Sequence, residues 1–205
     1  MPVETNLIIF LKAPRRGTVK TRLAKFIGEA AACSAYQTLV TRLIENLHSL
    51  PEVELRFSPD DAGPEIRRWL QNHWWLRPQG LGDLGQRLQR VFQESFDSGA
   101  KRVVTIGSDC PAIVAEDIQM AWSALATHDV VLGPASDGGY WLIGMRAIHA
   151  ELFEKIPWST EAVFATTLSR IREKELSCHV LRELSDIDLR EDWEKFLKNN
   201  QHEKK

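Results

Sequence analysis

At 205 residues, with 43% apolar side chains and a formal net charge of −2, the chain is sized for one enzyme-scale domain and lacks the basic excess that nucleic-acid binding draws on. Cys33, Cys110 and Cys178 form no C-x-x-C pair and the six histidines show no metal-ligand spacing, which excludes a sequence-legible zinc module and fits a reducing compartment. No apolar run reaches the ~18 residues of a membrane span, and Met1 to Thr5 lacks the charged and apolar regions of a signal peptide, so a cytoplasmic location is expected.

The first predicted element is the apolar strand Asn6 to Leu11. It leads into Lys12-Ala-Pro14-Arg15-Arg16-Gly17-Thr-Val-Lys20-Thr-Arg22, which packs five cations into eleven residues. Such a loop, with a helix starting soon after, is an anion site in outline, since Lys and Arg supply charge and donors while backbone N–H groups supply the rest. It is neither a Walker A loop nor a G-x-G-x-x-G fingerprint, and a solvated basic loop is the competing reading. Ala32, Tyr36, Leu39, Leu43 and Leu47 fall on one face of a long helix. Val53 to Phe57 reads as the next strand, Glu65 to Asn72 as a helix, and Leu84 to Phe96 as another with Leu84, Leu88, Val91 and Phe96 inward.

Arg102 to Ile106 is a β-branched run ending in Gly107-Ser108-Asp109-Cys110-Pro111, which delivers Asp109 to the carboxyl edge of a sheet, where open α/β folds place ligands. A carboxylate there suits a divalent metal; alternatively Asp109 caps the helix beginning near Ala115 or holds the turn before Pro111. Cys110 as a nucleophile competes with an ordinary buried thiol. Ile118, Trp122 and Leu125 mark the following helix. Strands over Asp129 to Leu132 and Tyr140 to Met145 flank Asp137-Gly138-Gly139, which lets backbone approach a ligand or simply turns a hairpin. Phe164 to Ile171 is helical, and Cys178 to Leu181 is a short strand. Asp188, with Glu191 three residues on, reads as the capping box of the last helix or as a metal ligand. The polar tail 199–205 is expected to fray, leaving a domain over 1–198. Of seven Trp residues, Trp74, Trp75, Trp141 and Trp158 are candidates to line a cleft. The alternation of elements predicts a three-layer α/β/α fold with a mostly parallel sheet.

These segments together resemble a bacterial family of the DUF2064 type, related to 2-phospho-lactate guanylyltransferase and the molybdenum-cofactor nucleotidyltransferases within the nucleotide-diphospho-sugar transferase superfamily. The matching residues are Lys12-Ala-Pro-x-x-Gly-x-x-Lys20-Thr-Arg22-Leu, Gln79-Gly80-x-Gly82-Asp83-Leu84-Gly85-x-Arg87-Leu88, Gly107-Ser-Asp109-Cys-Pro111, Gly133-Pro-Ala-x-Asp137-Gly-Gly-Tyr140-x-Leu-Ile-Gly144, Ile156-Pro-Trp-Ser-Thr160 and Asp186-Ile-Asp188-x-x-x-Asp192.

The resemblance implies a glycosyltransferase-A (GT-A) fold with a mixed, mostly parallel sheet. It also implies that Lys12, Pro14, Gly17, Lys20 and Arg22 hold the nucleotide phosphates, that Gln79, Gly80, Asp83 and Leu84 lie against base or ribose, and that Asp137, Gly138, Gly139 and Tyr140 face the acceptor. Asp109 and Asp188 would bind Mg²⁺ or Mn²⁺, with Lys20, Arg22 and Asp109 catalytic. Ser108-Asp109-Cys110-Pro111 replaces the Asp-x-Asp common among glycosyltransferases of this fold and is closer to the nucleotidyltransferase branch. The expected activity is metal-dependent nucleotidyl transfer from a nucleoside triphosphate to a small phosphorylated or hydroxyl acceptor. Glycosyl transfer from a nucleotide-sugar is the alternative, and a non-catalytic nucleotide-binding module the third. The expected partners are small molecules, with no nucleic acid and no membrane span, and with a homo-oligomer allowed.

Overall fold

A computed structural model describes residues 4–202, with side chains described through Asn199. Seven strands form one sheet in the order β3-β2-β1-β4-β6-β5-β7. The strands are β1 Thr5–Lys12, β2 Val53–Ser58, β3 Trp75–Pro78, β4 Arg102–Ile106, β5 Val130–Pro134, β6 Tyr140–Met145 and β7 Cys178–Val180. β6 runs antiparallel to its neighbours β4 and β5, and every other pairing is parallel.

Alternation along the strands divides the apolar residues between two faces. Leu7, Ile9 and Leu11 of β1 join Val104 and Ile106 of β4 in one core. Helices α2 (Glu29–Leu47) and α5 (Ala115–Ala124) cover it with Tyr36, Leu43, Ile118 and Trp122. Ile8, Val103, Leu132 and Ile143 face the opposite core, where Leu88, Val91 and Phe92 of α4 (Leu84–Asp97) and Ile171 of α6 (Val163–Glu173) pack. Among the described residues no helix is long and apolar enough to cross a membrane.

Several boundaries differ from expectation. The helix expected over Glu65 to Asn72 is only α3 (Gly63–Ile66) plus a 3-10 turn over Arg67–Trp69, after which Leu70 is extended. Trp69 anchors that stop: its ring is buried and its indole N–H donates to Thr41 Oγ1 at 3.0 Å. β3, an edge strand ending in proline, carries no clean sequence signal. Leu84, expected inward, is 42% exposed because it opens α4 rather than lying on its buried face. The last helix, α7, runs Arg190–His202, past Asn199 where fraying was expected, and 203–205 lie outside the described residues.

Candidate functional site

The carboxyl ends of β1 and β4 are neighbours, while the chain leaves β1 toward β2 on the other side. That divergence opens a crevice above the sheet edge, the usual ligand position in open α/β folds. A cleft of about 680 Å³ occupies it. Lys12, Lys20, Arg22, Gln79, Asp83, Leu84, Asp109, Tyr140 and Asp188 all line this cleft, drawn from segments spread across the chain.

Tyr36 of α2 holds the two strand ends together. Its hydroxyl accepts the Lys12 N–H at 2.8 Å and lies 3.1 Å from Lys12 O and 3.2 Å from Ser108 Oγ. Burial pushes this phenol well above its ordinary pKa, so it remains a neutral bridge. The segment after β7 then runs beside the end of β5, through an Ala135–Leu184 bridge, and the Ile187 N–H donates to Asp109 O at 3.1 Å. That bond sets Asp188 beside Asp109.

Lys20 lies between them. Its ammonium is 2.5 Å from Asp109 Oδ1 and 3.0 Å from Asp188 Oδ1, with Arg22 Nη1 3.8 Å from Asp188 Oδ2. The Lys20 side chain is 1% exposed, whereas Asp109 and Asp188 are 48% and 36% exposed toward the cleft. Burial opposes the charge on Lys20, but the two carboxylates outweigh it and leave its pKa raised. Lys20 reaches this position from a left-handed backbone, φ 47° and ψ 44°, just ahead of α1 (Thr21–Ile27). Neighbouring Asp186 is raised to about 7 by burial and by Asp109.

The capping alternatives do not describe these aspartates. At α5 the Val114 N–H is met by Asp117, and at α7 the Leu189 N–H is met by Asp192 Oδ2 at 2.9 Å. The capping box expected of Asp188 and Glu191 does not form: the carboxylate-to-N–H bond falls one residue later, at Leu189, whose side chain offers no acceptor, and Asp188 pairs with Lys20 instead. Cys110 is buried and pushed up to about 12 by that burial, which removes thiolate nucleophilicity at neutral pH.

The second wall is the N-terminal end of α4. Asp83 caps the helix, accepting from the Gln86 N–H at 2.8 Å while Gln86 Oε1 accepts the Asp83 N–H at 3.0 Å. Gln79 is buried, donating to Leu11 O and Arg56 O and accepting from Arg87 Nη1, so its amide ties β1, β2 and α4 rather than standing free for a base. Arg90 clamps the loop by donating to Gln79 O and Leu81 O, each at 2.7 Å.

Six expected residues stand outside the cleft lining. Pro14 accepts from Cys33 Sγ through its carbonyl, a Cβ on Gly17 would face Glu29, and the Gly80 N–H donates to Asp60. Asp137 accepts the Gly139 N–H at 2.9 Å in a local turn. A Cβ on Gly138, at φ 86°, would sit 2.2 Å from Glu161 O, so the close approach that glycine permits is to this chain's own backbone. Arg15 is likewise drawn away, to Glu65 and Asp61. Of the tryptophans, Trp141 lines the cleft, while Trp158 packs edge-on against Tyr140 behind it.

Arg87, Leu88, Ser108 and Ile143, which belong to the matching motifs but are assigned no site role from sequence, also line the cleft, as does Thr105. Arg87 Nε, Thr105 Oγ1 and the Tyr140 hydroxyl are enclosed and have no hydrogen-bond partner among the described residues. Thr105 sits mid-strand in an apolar run, so alternation alone marks it as a polar residue facing the α4 side.

Among the described residues no group of three or more His, Cys, Asp or Glu side chains is arranged to hold a metal. The Asp109–Asp188 pair still fits Mg²⁺ or Mn²⁺. Both carboxylates open on the cleft and already converge on one cationic point, and Mg²⁺ is commonly held by one or two carboxylates with phosphate and water completing the shell.

The model of the DUF2064 family, described as an uncharacterized protein conserved in bacteria, matches residues 45–160. A protein from Desulfovibrio desulfuricans G20, provisionally named a nucleotide-diphospho-sugar transferase, is 33% identical over 91% of this chain and 83% of its own, with a TM-score of 0.85. CMP:2-keto-3-deoxy-manno-octonic acid synthetase, solved with CTP, is similar at 10% identity over 98% of this chain and 99% of its own, with a TM-score of 0.61. The inositol-1-phosphate CTP transferase of T. maritima is similar at 12% identity over 94% and 93%, with a TM-score of 0.55. At such identities the last two likenesses concern the fold alone. No curated protein matches the sequence.

Proposed function

The chain belongs to the DUF2064 family and carries the nucleotide-diphospho-sugar transferase fold, and from that premise we propose that it transfers a nucleotidyl group from a nucleoside triphosphate to a small phosphorylated or hydroxyl acceptor. The observation that carries this reading is the convergence of Lys12, Lys20 and Arg22 with two open carboxylates, Asp109 and Asp188, in one cleft at the β1–β4 edge. Phosphates chelated by a metal need both signs of charge close together.

Lys12 is exposed and its ammonium has no protein partner among the described residues, so it is available to a phosphate. An acceptor oxygen attacks the α-phosphorus in line; the new P–O bond forms as the bond to the β-phosphoryl oxygen breaks, and pyrophosphate departs. Lys20 and Arg22 stabilise the charge that grows on the leaving group. Mg²⁺ or Mn²⁺ held by Asp109 and Asp188 would supply Lewis-acid charge at the phosphates. The α4 side of the cleft, with Arg87, Thr105 and Tyr140, is left for the acceptor.

Glycosyl transfer is the second reading, favoured by the name given to the 33% identical relative. The same cations would then stabilise a departing nucleoside diphosphate. Isotope exchange decides between the two. A nucleotidyltransferase given nucleotidylated product incorporates labelled pyrophosphate into triphosphate, whereas nucleoside diphosphate release from a nucleotide-sugar without exchange establishes glycosyl transfer. Asp109→Asn, which keeps size and removes the anion, is expected to weaken Mg²⁺-dependent nucleotide binding at least about tenfold with an unchanged melt, the affinity following from loss of a charged contact. Unchanged calorimetric affinity would remove Asp109 from the metal role.

A further inference from the structure

The ammonium of Lys20 and a divalent ion held by Asp109 and Asp188 would occupy the same place. Lys20 Nζ lies 2.5 Å and 3.0 Å from one oxygen of each carboxylate. An ion bridging those oxygens needs bonds of about 2.0–2.1 Å, so it would sit within the volume of the ammonium and against its charge. The Lys20 side chain is almost fully enclosed and starts from a left-handed backbone, so it is built into this position. Its stem carries rotatable bonds, however, and the cleft in front of it is open and lined by Lys12 and Arg22.

We propose that Lys20 is a tethered counter-ion that keeps divalent metal off the Asp109–Asp188 pair until a polyphosphate enters the cleft and draws the ammonium away. This deepens the nucleotide-transferase reading and rests on it. Without nucleotide, the carboxylates have their cation and metal binds weakly. With nucleotide, the ammonium exchanges carboxylate oxygens for phosphate oxygens, and the two aspartates are released to the ion that arrives with the phosphates. The coupling is reciprocal, since whatever factor nucleotide adds to metal affinity, metal adds to nucleotide affinity. The arrangement protects an open pair of carboxylates from idle occupancy and ties metal uptake to the presence of the donor.

The test is a gain of binding. Mn²⁺ alone is titrated into metal-free protein and free ion is followed by electron paramagnetic resonance, with no nucleotide and no turnover. Lys20→Met, which keeps the stem and deletes the charge, is expected to bind Mn²⁺ at least tenfold more tightly than the parent while binding Mn²⁺-nucleotide more weakly. Lys20→Arg, which keeps a cation there, is expected to resemble the parent in Mn²⁺ alone. Adding Asp109→Asn to Lys20→Met should abolish the gain and so locate the ion. Metal-free melting curves establish that each variant is folded.

Parent protein that binds Mn²⁺ alone as tightly as Lys20→Met, or a Lys20→Met variant with no gain, overturns the proposal. Failure of the underlying reading looks different. In that case Mn²⁺ uptake with nucleotide is unaffected by Asp109→Asn in the parent, whatever the lysine variants do.

Discussion

Lys20 and Arg56 are both buried cations between two carboxylates, with side chains 1% and 4% exposed, yet they stand in different circumstances. Arg56 lies mid-strand in β2, its Nε 3.1 Å from Glu54 Oε1, one terminal nitrogen on Glu94 and the other donating to Pro78 O at 3.1 Å. Glu54 is itself 8% exposed and also meets Arg77. The planar fork is thus met on three sides by groups of the scaffold, and one of its two carboxylates, Glu54, is enclosed, while Glu94 is 40% exposed. Lys20 is a single point of charge on a flexible stem, and both of its carboxylates face solvent in the main cleft. Burial of a charge therefore does not by itself mark a functional site. A ligand can use such a cluster where the partners remain reachable and the cation can leave.

The comparison breaks most readily at Arg56. Arg56→Met leaves Glu54 enclosed with only Arg77 as counter-charge, and breaking a buried pair in this way costs about 3–5 kcal/mol. Lys20→Met leaves carboxylates that water reaches, so its cost should be about 1 kcal/mol or less. Denaturant melts of the two variants side by side check the contrast. Equal losses would mean that the Lys20 cluster is as much scaffold as the other.

Gly138 sharpens the boundary of the site. If the Asp137-Gly138-Gly139 turn belongs to the scaffold, Gly138→Ala should destabilise by about 2–3 kcal/mol, from left-handed strain plus the collision with Glu161 O. Nucleotide affinity of the folded fraction should not change. A normal melt with lost acceptor binding would return this glycine to the cleft.

How much of this was legible beforehand follows from range. β1 and β4 announce themselves as apolar runs rich in β-branched residues, and the expected strand over Tyr140 to Met145, an aromatic and aliphatic run, coincides with β6. Tyr36, Leu39, Leu43 and Leu47 mark the buried face of α2 because a helix repeats within one segment. Lys20 and Asp188 are 168 positions apart, and no local pattern announces that they meet. Asp137 and Gly138 illustrate the reverse case. Asp-Gly-Gly has the composition of a ligand-approaching loop, and only the position of Glu161 shows what it approaches. Arg87, though part of a matching motif, and Thr105 receive no role from sequence because one sits on an amphipathic helix and the other in a strand, where a polar residue has ordinary explanations.

Asp129 offers a third carboxylate for the comparison, open at neither the cleft nor the Arg56 network. It accepts from the Ser177 N–H and hydroxyl and pairs with Arg146, stitching β5, β6 and β7 together at their far ends. The Ser177 hydroxyl, its N–H and then Arg146 lower its pKa to about 2 against the ordinary 3.8. A carboxylate with a depressed folded pKa stabilises fully above its unfolded value, and that contribution is lost as pH falls through the folded one. Between about pH 4 and pH 2 the parent should therefore lose about 1–2 kcal/mol that Asp129→Asn does not lose, the range allowing for partial exposure. Parallel acid melts of parent and variant measure the difference, and identical slopes would show that the bonds contribute nothing.

The smallest stability effect is expected at Tyr140, whose hydroxyl is enclosed and unpartnered and whose burial pushes the phenol well above its ordinary pKa. The Asp129 carboxylate has its hydrogen-bonding capacity used by the scaffold; the Tyr140 hydroxyl has its capacity unused, beside a cleft whose proposed acceptor half also holds Thr105 Oγ1 and Arg87 Nε, unpartnered among the described residues. Deleting a buried donor that has no partner removes a desolvation cost and no bond, so Tyr140→Phe should change stability by less than about 0.5 kcal/mol or raise it slightly. Its effect should fall on turnover, with the acceptor's KM raised and donor affinity unchanged, because the hydroxyl gains a partner only when an acceptor is bound. A loss of more than about 1 kcal/mol in the melt, with kinetics untouched, would mean that the hydroxyl is satisfied in solution and belongs with the scaffold.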